Sequence, residues 1–60
     1  MGKTLGYYKG KYRNDTTGKS PIFKINYLEG ALATTNNQRI RAWLRREQNK
    51  QRGIRHRILK

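Results

Sequence analysis

The sequence predicts a small α+β fold: a β-hairpin, extensible to a three-stranded sheet, packed on one C-terminal amphipathic, Arg-rich helix. Three observations carry that expectation. A tyrosine-dense run and an alternating apolar run occupy the first half, and an apolar triplet at helical spacing sits among arginines in the second. Sixty residues make one domain at most. A chain this short buries only about 60% of the surface its unfolded form exposes, so it is thermodynamically marginal. With no cysteine, neither a disulfide nor a thiolate zinc site staples it.

The first expected strand is "TLGYYKGKYR", residues 4–13, where tyrosine favours extended backbone and Gly6 and Gly10 weaken the strand or mark a bulge. "NDTTGKSP", residues 14–21, carries turn chemistry throughout. "IFKINYL", residues 22–28, reads as the second strand, with Phe23, Ile25 and Tyr27 on one face and Lys24 and Asn26 on the other. Two such runs around a Gly-containing loop suggest an antiparallel hairpin.

A helix is expected near residues 36–52. Thr35 and Gln38 stand three apart, as in a capping box, and Gly53 suits the residue just past a helix end. "IRHRIL", residues 54–59, is either a short third strand or a tail ordered by a partner. The expected organisation is therefore a ββα domain over residues 1–53 with a basic tail or strand over 54–60. The expected core takes Leu5, Tyr7, Tyr12, Ile22, Phe23, Ile25, Tyr27, Leu28, Leu32, Ile40, Trp43, Leu44, Ile54, Ile58 and Leu59.

Fifteen Lys and Arg face three carboxylates, Asp15, Glu29 and Glu47, for a net charge of +12. Such a charge repels itself and weakens the compact state, which points to a polyanionic partner. Residues 1–38 hold five of seven lysines and one arginine; residues 39–60 hold seven of eight arginines. The planar guanidinium suits phosphate and base edges better than a lysine point charge, so the second half reads as the more specific surface.

On a helical wheel Ile40, Trp43 and Leu44 share one face, the usual core-facing spacing, so Trp43 is expected against Phe23, Ile25 and Tyr27 rather than against a base. Arg41, Arg45 and Arg52 form one basic stripe, and Arg39, Arg46 and Lys50 a second, about 140° away. Between them lies a ridge of Gln38, Ala42 and Asn49. Two cationic rails flanking a small polar ridge suit a nucleic-acid groove, with the rails on phosphates and Gln38 and Asn49 near base edges. Arg55, Arg57, Lys9, Lys11 and Lys19 complete the expected backbone contacts, while Tyr8 and Tyr12 are candidates for stacking bases from a sheet face. Glu47 can pair with Lys50.

Other chemistries find little support. "TTGKS", residues 16–20, shares the end of a phosphate-binding P-loop, but Arg13 stands where the motif needs its first glycine. Gly18, Lys19 and Ser20 could still hold a backbone phosphate. The three carboxylates are dispersed, and His56 lies between Arg55 and Arg57 with no acidic neighbour in sequence. No enzyme activity, cofactor or metal is expected. No apolar run approaches the roughly 20 residues of a spanning helix, so the chain reads as intracellular, soluble or assembly-bound.

The leading expectation is a small basic nucleic-acid-binding protein, an RNA-binding component of a ribonucleoprotein assembly such as a ribosome, with RNA favoured over DNA because the core is thin and both ends are basic. The alternatives are a compact DNA-binding regulator placing helix 36–52 in the major groove, and a protein-binding adaptor or inhibitor docking its cationic helix on an acidic partner surface. Attachment to a membrane surface is weaker, because the apolar face is short.

Overall fold

The structure is a computed structural model describing residues 3–59, with side chains described for residues 3–54. It contains three helices in the order α1 (Leu5–Thr16), α2 (Pro21–Leu32) and α3 (Gln38–Leu59), and the described residues form no strand. The expected β-hairpin is therefore replaced by an α-helical hairpin with a third helix docked on it.

Helix α1 forms from the run expected as the first strand. Thr4 caps it, its Oγ1 accepting from the Tyr7 amide at 3.1 Å. Leu5, Tyr8, Tyr12 and Thr16 then turn inward, at the three- and four-residue steps of a helix face. Tyrosine's strand preference loses here to that spacing and to the cap. The helix stops at Thr17, followed by Gly18 at φ +80°, a left-handed turn that glycine adopts without steric cost.

Ser20 and Pro21 open α2, replacing the expected loop end and strand start. The Ser20 Oγ accepts from the Phe23 amide at 3.2 Å, and Pro21 takes the first helical position, where its missing N–H costs nothing. Leu28 and Leu32 are buried, with Ile25 and Ala31 half-buried beside them. The apparent alternation of Phe23, Ile25 and Tyr27 spans too few residues to separate strand from helix. Phe23 is instead 43% exposed.

Asn37, rather than the expected Thr35–Gln38 box, caps α3. Its Oδ1 accepts from the Ile40 amide at 3.2 Å, while Thr35 Oγ1 accepts from the Asn37 amide one step earlier. Nor does Gly53 end the helix. Its φ is not positive, and the backbone stays helical to Leu59, so residues 54–59 form neither the third strand nor a separate tail conformation.

Gln48 lies against Ile25 and Glu29, and Arg41 against Leu32, so α3 runs antiparallel to α2. This pair carries most of the tertiary contact, and α1 docks more sparsely. Both interior glycines of α1, Gly6 and Gly10, lower its intrinsic helicity further. The core is Leu28, Leu32, Ile40 and Leu44, flanked by Leu5, Tyr8, Tyr12, Ala31 and Trp43. Tyr7, Ile22 and Phe23, expected inside, are exposed. Ile58 and Leu59, also expected inside, have side chains outside the described residues.

Candidate nucleic-acid interface

The position of α3 against α2 determines which of its side chains face solvent. Ile40, Leu44, Gln48 and Gln51 are buried. The buried seam is thus rotated about 40° from the predicted triplet, towards Gln48. Gln48 Nε2 donates to Glu29 Oε2 at 2.6 Å and to the Ile25 carbonyl at 3.5 Å. A glutamine can occupy the seam because α2 supplies acceptors for its amide, which would otherwise be costly to bury. Trp43 is half-buried, packed against the margin of the core. It meets Tyr12 edge-on at 5.8 Å between ring centroids, with Lys9 Nζ 5.7 Å from its own.

The outward arc, about 160° wide, carries Arg39, Arg45, Arg46, Lys50 and Arg52, all exposed. Between the two sides lie Gln38, Ala42, Asn49 and Gly53, also exposed. No carboxylate stands on this arc. Among the described residues the single ion pair is Lys11–Asp15 at 3.8 Å, so the expected Glu47–Lys50 pair is not formed and the five cations have no acidic partner.

One predicted rail residue belongs elsewhere. Arg41 is half-buried, and its Nη1 donates to the carbonyls of Leu32 and Thr35, the latter at 2.9 Å. Leu32 ends α2, where carbonyls lack intrahelical partners, so Arg41 caps α2 and ties it to the first turn of α3. The first rail is reduced to Arg45 and Arg52; the second, Arg39, Arg46 and Lys50, is complete on the outward arc. The side chains of Arg55, Arg57 and His56 lie outside the described residues.

The first-half candidates are scattered by helix formation. Lys9 covers Trp43, Lys11 pairs with Asp15, and Lys19 lies 5.5 Å from the Phe23 centroid. The Ser20 hydroxyl oxygen accepts from the Phe23 amide as the α2 cap, so the segment 18–20 serves as the turn that opens a helix. Tyr8 and Tyr12, expected on an open sheet face, are half-buried against the core. Burial pushes the Tyr12 phenol up from its usual pKa; Glu47 adds to this and hydrogen bonds from Gln51 and Thr16 oppose it. Tyr27 donates to Asp15 Oδ2 at 2.7 Å, and burial with that carboxylate raises it to about 12. Both tyrosines therefore remain neutral packing groups.

Sequence reasoning put Glu47 and Gln51 on the apolar face but took the stripe to end before them; it did not place Gln48 in the seam, nor Asn37 at the cap. A cap signal was present, since Asn37 directly precedes the helical period. Gln51 falls between Ile40 and Leu44 on the wheel, whereas Gln48 had no comparable signal, because its burial depends on the acceptors α2 presents. No three His, Cys, Asp or Glu side chains converge among the described residues, and no described helix is long and apolar enough to cross a membrane. No protein-family model, curated protein or solved structure matches the chain.

Proposed function

We propose that this chain is a small nucleic-acid-binding protein that lays the outward face of α3 against phosphates, acting as an RNA-binding component of a ribonucleoprotein assembly. One observation carries the reading: five exposed cations share one arc of α3 with no carboxylate on that arc and no acidic partner among the described residues. Holding like charges together costs self-repulsion, which a polyanion relieves. The thin core favours an assembly component. Among the described residues four apolar side chains are buried, so binding a partner would add materially to the stability of the folded state.

A second reading, a DNA-binding regulator, draws on the outward ridge of Gln38, Ala42, Asn49 and Gly53. Its small residues permit close approach, and its amides match adenine edges in a major groove. An undistorted A-form groove would not admit the helix in that way, so on RNA the face would follow phosphates or a widened loop region.

The test is binding to labelled duplex DNA, single-stranded RNA and a structured RNA across a salt series, with an acidic protein as control. Five neutralised phosphates on a B-form duplex would give a slope of log K against log salt of about −4 to −5. A steep slope with tightest binding to structured RNA is the expected result, and preference for one duplex sequence would favour the DNA regulator. Tight binding to the acidic protein alone would make the same face an adaptor surface and refute nucleic-acid binding.

A further inference from the structure

Away from the outward arc, the sparse docking of α1 leaves an open groove of about 920 Å³ between α1, α2 and the segment leading into α3. Four tyrosines line it: Tyr7, Tyr8, Tyr12 and Tyr27. Their arrangement is held by hydrogen bonds. The Thr34 hydroxyl donates its proton to the Ala31 carbonyl at 2.7 Å, so in its 3.2 Å contact with Tyr8 it is the acceptor and the phenol donates. Tyr27 is pinned in turn by its bond to Asp15. Tyr7 is left 43% exposed as a residue, its ring at an edge-on angle to Tyr8 with 5.6 Å between centroids.

The polar groups around these rings are those a nucleotide would need. Lys3 Nζ stands 4.8 Å from the Tyr7 centroid, and Lys11 also lines the groove. Asn26 and Asn36 line it as well, and among the described residues their side-chain amides have no protein hydrogen-bond partner. An amide offers both a donor and an acceptor, which is what a base edge requires. No carboxylate is among the described residues that line the groove, and Asp15 behind it is engaged by Tyr27 and Lys11.

We infer that this tyrosine groove is a binding site for an unpaired nucleotide, its base stacked on Tyr7, its edge read by Asn36, and its phosphate held by Lys3 or Lys11. The inference rests on the proposed nucleic-acid function and adds a second contact to it. Asn36 and Asn37 line the groove, and the next two residues, Gln38 and Arg39, begin the outward face of α3. Groove and cationic face therefore meet at the N-terminal end of α3. One RNA molecule could present phosphates to the helix and a splayed-out base to the groove, the usual mode for single-stranded loops and bulges.

The test compares labelled single-stranded oligoadenylate with a labelled RNA duplex, using the full chain and the variants Tyr7→Ala, Tyr7→Phe, Asn36→Ala and Arg45→Ala/Arg46→Ala. Tyr7→Ala should weaken single-strand binding about tenfold, leaving duplex affinity and the salt slope as they were. Tyr7→Phe, which keeps the ring, should bind as the parent does, and the double arginine variant should weaken both ligands with a shallower slope. If Tyr7→Ala loses helix by circular dichroism, the exposed Asn36→Ala decides, with the same single-strand-selective loss expected. Unchanged single-strand binding in the folded groove variants, or equal loss on both ligands, would overturn the groove while leaving the cationic face standing. If the parent protein binds neither nucleic acid, both the groove and the proposed function fall.

Discussion

Arg41 and Arg45 are one turn apart on α3 and carry the same charge, yet the fold uses them differently. Arg41 is half-buried on the carbonyls of Leu32 and Thr35, whereas Arg45 is exposed with no acidic partner among the described residues. Hydrogen bonds from a charged donor contribute more than neutral ones, and removing this donor strands the Leu32 carbonyl at the end of α2. Arg41→Ala should therefore lower stability by about 1–3 kcal/mol in urea denaturation. Arg45→Ala should stay within about 0.5 kcal/mol of the parent while making the salt slope of nucleic-acid binding about one unit shallower. Equal stabilities for the two variants would return Arg41 to the exposed rail. This difference was not legible in the sequence, because both arginines fall on one stripe of the wheel, and only the path of α2 distinguishes them.

Elements were legible where capping and period agreed, and illegible where short-range propensity competed. For α3 the period of Ile40, Trp43 and Leu44 correctly indicated a helix, although its cap moved to Asn37 and its end passed beyond Gly53. For α1 and α2 the tyrosine density and a brief alternation suggested strands. Thr4 before α1 and Ser20–Pro21 before α2 were the competing signals, and they prevailed because each satisfies amides that a new helix leaves unpaired. Gly53 offers a test at this scale. A Cβ built there meets nothing within 4 Å, and its φ is not positive. Gly53→Ala should thus stabilise the protein by about 0.5–1 kcal/mol, read as a higher denaturation midpoint. A residue in a left-handed helix-end conformation would respond with destabilisation.

At the scale of the whole molecule, a small core, with four buried apolar side chains among the described residues, opposes the self-repulsion of a +12 chain. Salt screens that repulsion and also screens attraction to a polyanion. Thermal melting of the free protein should therefore shift upward as sodium chloride is added. The additional upward shift given by a bound RNA should shrink over the same range, from about 2.7 kcal/mol of stabilisation at a hundredfold excess over Kd. A melting point that fell with salt in the free protein would show that charge repulsion is not what limits its stability. The molecule's extents of 43 × 20 × 15 Å follow from the same economy. Helix α2 is 12 residues long and α3 is 22, so the end of α3 runs past the start of its antiparallel neighbour.

Composition and local period were enough to establish a strongly basic chain, the clustering of arginine on a C-terminal helix, and Ile40 and Leu44 as apolar residues by which that helix is held. These depend on residue identity and on neighbours within one turn, which a linear chain displays directly. The removal of Arg41 from the rails, the burial of Gln48, and the meeting of four tyrosines in one groove were settled by packing. Each depends on which distant group lies opposite: the acceptors of Glu29 and Ile25, the carbonyl of Leu32, the hydroxyl of Thr34. Contacts between residues 9 to 26 positions apart bring these groups together, and a window of about 18 residues, the span over which periodicity is read, does not contain both partners of the longest of them.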